Sequence, residues 1–159
     1  MADFRIRPAT SRDAESLGEL GAHLVRSHHD FDSQRFMSPG TQIEKGYGRF
    51  LTSQLDRDDC VVLVAERERQ IIGYVYATLE DRSWRDLRDA CGYIDDIVVR
   101  DTARRSGVAT ALVEAAMDWM RSRGAPRVLL MTATPNHAAQ QLFARLGFRP
   151  TMVEMTREL

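Results

Sequence analysis

Lysine is almost missing from this chain. All but one of its 22 basic residues are arginine, the exception being Lys45, so positive charge is carried by planar, permanently ionised guanidinium groups. Net charge is missing too: 22 Lys and Arg stand against 23 Asp and Glu, which leaves −1. With no global basic field, nucleic acid is not an expected partner, and any anion site must be a local concentration of positive groups. Two cysteines, Cys60 and Cys91, are too few for a disulfide framework and form no CxxC pair or Cys/His ligand set. Both lie in or beside apolar runs and read as reduced core thiols. His28 and His29 are adjacent and point two ways, and no Cys or Glu completes a metal site around them. No window approaches the roughly 18 apolar residues of a membrane span, and the opening MADFRIRPAT holds no apolar run of signal length. The expectation is a cytoplasmic protein without metal, membrane or nucleic-acid partner.

What is present is the composition of a globular domain. With 159 residues, 43% hydrophobic and 28% charged, the chain has the size and balance of one α/β or α+β unit spanning 1–159. Phe4 and Ile6 alternate with arginines in a first strand. Thr10 or Ser11 then caps a helix with Leu17, Leu20 and Leu24 at helical spacing, and Ile43, Tyr47, Phe50, Leu51 and Leu55 make a second helix from near Thr41. The polar stretch around residues 28–39 reads as the connection between them. Residues 60–67 and 71–80 are β-branched runs joined by a short polar turn, an antiparallel hairpin, and a charged loop, 81–90, follows. Next come a strand at 91–99, a helix from about 107 to 123, a buried strand at 127–134, a helix at 136–146, and a final strand or strand pair in FRPTMVEMTREL. Strand, helix and strand from 93 to 134 imply a parallel pair with a right-handed crossover, so the sheet should be mixed.

The stretch VVRDTARRSGVATALV, residues 98–113, runs from strand through a basic loop into a helix. Helix-start amides are unsatisfied donors with partial positive charge, and glycine lets an anion come close, so residues 104–109 form a possible phosphate cradle. A helix start with a solvated arginine pair is the alternative. The loop lacks the Gly-Lys-Ser/Thr ending of a P-loop and has one glycine where the dinucleotide fingerprint has three.

In this context the residues resemble the GCN5-related N-acetyltransferases. Arg104, Gly107 and Ala109 match that family's Arg/Gln-x-x-Gly-x-Gly/Ala. Asn136, Ala139, Gly147 and Phe148 match Asn-x-x-Ala-x-x-x-Tyr-x-x-x-Gly-Phe, with Phe143 where the family often has tyrosine. The resemblance spans nearly the whole chain. It implies an acyl-CoA N-acyltransferase fold: a mixed, mostly antiparallel sheet with a V-shaped splay after the fourth strand and about four flanking helices. It further implies acetyl-CoA as acetyl donor. Its pyrophosphate would lie on the amides of Arg105, Ser106, Gly107, Val108, Ala109 and Thr110 with charge from Arg104, and its pantetheine along the main chain of Ile97, Val98 and Val99. Asn136, Ala139 and Phe143 would complete the cofactor side. The acceptor would be an amine of a small molecule or a protein.

Transfer to an amine needs a proton acceptor and donors for the developing oxyanion. Asp95 and Asp96 are the acidic residues nearest the expected thioester. Strand alternation predicts that they face opposite ways, so that one of them reaches the site; a salt-bridged or capping aspartate is the alternative for each. Tyr93 shares a face with Asp95 and could donate the proton that Phe143 cannot. His28, His29, Asp30, Phe31, Arg35 and Phe36 are the expected acceptor-binding residues, with the loop around Trp84 opposite them. The second function that fits is a CoA-binding sensor that has lost efficient catalysis, which rests on Phe143 alone. The C-terminal TMVEMTREL could pair with a second copy as a homodimer.

Overall fold

The computed structural model describes residues 3–159. Its spine is one sheet in the order β1–β2–β3–β4–β5, formed by β1 (Arg5–Pro8), β2 (Cys60–Arg67), β3 (Gln70–Glu80), β4 (Cys91–Val99) and β5 (Val128–Leu130). Neighbours from β1 to β4 run antiparallel, and β5 joins β4 in parallel. α1 (Ala14–Phe31) and α2 (Ile43–Thr52) separate β1 from β2, α3 (Val108–Ser122) makes the crossover from β4 to β5, and α4 (His137–Arg145) follows β5. This is the mixed sheet with four helices that the resemblance implies.

Two-residue alternation divides the sheet's side chains between two cores. Leu63, Ala65, Val75, Ala77 and Ile94 pack with Val108, Leu112 and Met120 of α3 and with Phe143 of α4. Val62, Val64, Tyr74, Tyr76 and Val98 pack on the other face with Leu17 and Leu20 of α1 and Leu51 of α2. Each fully buried leucine among these contributes about 1.5–3 kcal/mol. The β2–β3 hairpin turns on Glu68 and Arg69, both with positive φ, 47° and 65°, as a two-residue loop between right-twisting strands demands.

α1 and α2 approach so closely that their contact tolerates only glycine. A Cβ on Gly18 would lie 2.2 Å from the Glu44 carbonyl oxygen, and one on Gly48 would lie 2.5 Å from that of Ala14. Gly21 leaves the space that the Tyr47 ring fills, since a Cβ there would lie 2.0 Å from a ring carbon. These contacts fix α2 over the sheet.

Three sequence expectations need correction. α1 continues to Phe31, so His28, His29, Asp30 and Phe31 lie on its last turns instead of in a connecting loop. The His28 ring packs edge-on against Phe31 and Phe36, an apolar contact that extends the helix through polar-looking residues. The strand expected at 127–134 is only Val128–Leu130, and Met131 just beyond it is 72% exposed. It stops where β4 and β5 diverge and the hydrogen-bonding neighbour is lost. The C-terminal strand or strand pair is absent: residues 148–159 have no regular element, because a strand forms only on an edge within reach and β5 offers three residues.

The helix contact yields an opposed pair of mutations. In α2, Gly46 has nothing within 4 Å of an added Cβ. Gly46→Ala should therefore stabilise by about 0.5–1 kcal/mol through helix propensity. Gly48→Ala should destabilise by about 1–3 kcal/mol through overpacking. Urea unfolding of both variants checks the signs; a stabilising Gly48→Ala would refute the close helix approach.

Candidate active site

β4 carries one residue more than β3 opposite it. Tyr76 pairs with Asp96 but Ala77 pairs with Ile94, which leaves Asp95 as the extra residue of a bulge. The side chains record the slip. Ile94, Ile97 and Val99 all pack on the α3 face, although 94 and 97 differ by an odd number, while Val98 packs on the α1/α2 face. The bulge also redirects the main chain. Gly92 N–H donates to Arg127 O on the β5 side, whereas Arg100 N–H donates to Ile72 O on the β3 side. Alternation back from Arg100 aims the Val98 N–H at β3 and the N–H and C=O groups of Ile97 and Val99 away from it. On that far side β5 pairs only with Gly92, Tyr93 and Ile94. Ile97 and Val99 thus face the open splay with their backbone groups, and Val98 does not.

The same slip overturns the expectation that Asp95 and Asp96 face opposite ways. Asp96 accepts hydrogen bonds from Tyr47 Oη on α2 at 2.7 Å and from Tyr74 Oη on β3 at 3.0 Å, both on its Oδ2. Asp95 Oδ2 lies 2.9 Å from Thr78 Oγ1, and Thr78 shares a face with Tyr74 and Tyr76 by strand alternation. Tyr93, opposite Thr78 in the ladder, joins them. Both carboxyl groups therefore point to the α1/α2 face.

Their environments differ. Asp95 keeps solvent contact, yet crowding by protein pushes its carboxyl up to about 7, with the charges of Asp96 and Glu80 adding to the shift and Thr78 opposing it. Thr78 Oγ1 is also 3.0 Å from Glu80 Oε1. Its single hydroxyl proton is therefore shared between the Asp95 and Glu80 carboxyl groups. Asp96 is also raised, by burial above all, while the two tyrosine hydroxyls and the proximity of His28 pull it down. Burial likewise holds the Tyr93 phenol above its ordinary range.

The loop before α3 is shaped as the sequence implied. Gly107 is the N-cap with φ 82°, and nothing lies within 4 Å of the place a Cβ would take. Val108, Ala109 and Thr110 form the first turn, whose amides have no helical acceptor. Arg105 is held at φ 59°, and Ser106 Oγ donates to Ala103 O at 2.7 Å, tightening the loop. Arg104 pairs with Asp101 at 2.8 Å. Asn136 accepts from the Ala139 amide at 3.2 Å and caps α4, and Phe143 is buried against Phe148.

The acceptor-side residues divide. His28 lies close to Asp96 beneath α2, with Phe31 and Phe36 packed on it. His29, Asp30 and Phe31 rim an open depression of about 630 Å³. Arg35 pairs with Glu154 and stacks on Phe36, its guanidinium 5.0 Å from the ring centroid, which pins the C-terminal segment to the α1–α2 connection. A cleft of about 380 Å³ runs from Thr78 and Glu80 to Arg88, beside the 80% exposed Trp84. Sequence reading missed Tyr47, Tyr74, Thr78 and Glu80; the period-two rule would have put the last three on one face of β3, but nothing local marks that face as polar. Among the described residues no three His, Cys, Asp or Glu are grouped to hold a metal, and no helix is long and apolar enough to cross a membrane.

Residues 25–148 match the profile of the acetyltransferase (GNAT) family. The chain belongs to that family. An uncharacterized N-acetyltransferase of Bacillus subtilis is 27% identical, over 91% of this chain and 89% of its own, and a streptothricin acetyltransferase of Escherichia coli is 31% identical, over 85% and 75%. The crystal structure of a mutant Bacillus halodurans protein shares the fold, with TM-score 0.84, 22% identity and coverage of 98% and 99%. This GNAT protein is accordingly an acyl-CoA-dependent N-acetyltransferase.

The capping role of Asn136 can be measured directly. Asn136→Ala in this acetyltransferase should cost about 1 kcal/mol in urea unfolding and Asn136→Asp much less, since aspartate also caps. Equal stability of all three proteins would show that the cap contributes nothing.

Proposed function

We propose that the protein transfers the acetyl group of acetyl-CoA directly to a primary amine, with Asp95 as the group that takes the amine proton. The observation that carries this reading is the β4 bulge, which turns two main-chain units toward the splay and two carboxyl groups toward the α1/α2 face. An extended ligand with amide groups suits the free N–H and C=O of Ile97 and Val99, as a strand suits a sheet edge. The amides of residues 107–110 and the open side of Gly107 suit its phosphates. Acetyl-CoA supplies the activated thioester; the chain orients it and manages protons. Asp95, held at about 7, is matched to proton transfer near neutral pH, where a base must be free yet still basic. The Ile97 N–H is the proposed oxyanion donor. Tyr93, on the Asp95 face, is the proposed proton source for the departing sulfur in place of a hydroxyl at Phe143.

The amine is a small molecule or a protein amino group; streptothricin acetyltransferase among the relatives favours the former. It would lie between the last turns of α1 and the cleft beside Trp84. Two free, buried thiols suit a reducing cytoplasm. The exposed Met152, Val153 and Met155 favour a homodimer that covers them, which sedimentation equilibrium reads directly.

The test is thiol release from acetyl-CoA over a panel of primary amines, followed against pH. Because an ionised Asp95 is the active form, kcat/KM should rise through about pH 7 and then level. Asp95→Asn should lower kcat by about 10²–10⁴ with CoA affinity kept. Wild-type turnover by Asp95→Asn at every pH would remove Asp95 from the mechanism.

A further inference from the structure

The half-buried carboxyl of Asp96 is held by two side chains from different layers. One of its oxygens receives both the Tyr47 and the Tyr74 hydroxyl. These donors come from different layers, α2 and β3. Tyr47 is aimed by a glycine: its ring occupies the space that a side chain at position 21 would take. The result is a continuous path from the α1–α2 contact, through Tyr47 and Asp96, to the bulge residue Asp95.

We propose that Tyr47 is a positioning residue for acetyl transfer: with Tyr74 it keeps Asp96 as a half-buried carboxylate, and the charge of Asp96 sets the proton affinity of its neighbour Asp95. This rests on Asp95 being the proton acceptor. Two phenolic O–H groups converging on one oxygen are the pattern of a carboxylate acceptor. Burial first and the Asp96 charge second push both phenols well above their ordinary range, so they stay donors wherever the enzyme works. A like charge beside Asp95 disfavours its ionised form.

Every group near the pair bears on the expected result. Asp96 faces Tyr47 of α2, Tyr74 of β3 and His28 of α1. Asp95 is near Thr78, Glu80 and Tyr76 of β3, Tyr93 of β4, Cys60 of β2 and Tyr47 of α2. Glu80 raises Asp95 as Asp96 does, but it is a surface residue that Tyr47 does not touch. Removing the Asp96 charge therefore lowers Asp95 part of the way toward an ordinary carboxylate. Removing the Tyr47 hydroxyl acts in the same direction, because Asp96 then holds its proton more tightly and is neutral when Asp95 titrates.

The experiment is a carbon-13 carboxyl NMR titration of the purified protein, with the Asp95 signal assigned by its loss in Asp95→Asn. Asp96→Asn, which keeps the shape of the side chain, should lower the Asp95 midpoint by about one pH unit. Tyr47→Phe should lower it in the same direction. An unmoved or raised midpoint in Asp96→Asn overturns the proposal, and an unmoved midpoint in Tyr47→Phe with an intact thermal transition removes Tyr47 from it. Should Tyr47→Phe fail to fold, Tyr74→Phe removes the other donor and carries the same expectation. A purely structural hydroxyl would change the melting temperature and leave the midpoint alone. Turnover keeps the two ideas separate: an active Asp95→Asn with shifted midpoints fails the acceptor assignment only, and an inactive Asp95→Asn with unmoved midpoints fails the Tyr47–Asp96 control only.

Discussion

The extra residue in β4 at Asp95 breaks the two-residue period of the strand in the one place where the sheet opens. Before the break, alternate backbone groups of β4 are shared with β5; after it, those of Ile97 and Val99 face the splay. A regular strand in the same position would turn Val98 outward and put Ile97 and Val99 on the other core. It would also send Asp95 and Asp96 to opposite faces. Both halves of the site, the donor edge and the pair of carboxyl groups, depend on this slip. The price in ladder hydrogen bonds is small, since Val98 and Asp96 keep their partners on β3 and only one residue is left over.

Two carboxyl groups on one face are held apart in character by their surroundings. Asp96 is half-buried under α2 with two hydroxyl donors, and Asp95 keeps contact with solvent while protein and two like charges raise it. The contact that Tyr47 makes with Asp96 is made possible far from β4, where Gly18 and Gly48 let α1 and α2 meet backbone to backbone and Gly21 seats Tyr47. Helix packing, bulge and proton chemistry are thus one arrangement. The donor loop is comparatively independent: it needs the φ of Gly107, the free amides of α3 and little else.

Much of this was legible in the amino-acid sequence. The limits of β4, the glycine at the start of α3 and the crossover to β5 follow from turn chemistry and apolar runs. The bulge was not legible, because YIDDIVV is flanked by apolar residues that suit either core and shows no alternation to be broken. The tyrosine pair escaped for a related reason: Tyr47 and Tyr74 sit at positions that apolar periodicity assigns to the core, and their rings are indeed there, with only the hydroxyls reaching Asp96. At the C-terminus the error ran the other way. The residues suit a strand, but strand formation depends on an edge to pair with, which no local pattern supplies.

Amide hydrogen exchange on β4, with and without CoA, measures the central geometry directly. In the free protein the Val98 amide should be protected, and those of Ile97 and Val99 should exchange freely; CoA should then protect Ile97 and Val99. A protected Ile97 and Val99 beside a freely exchanging Val98 in the free protein would place β4 in the opposite register and contradict the account.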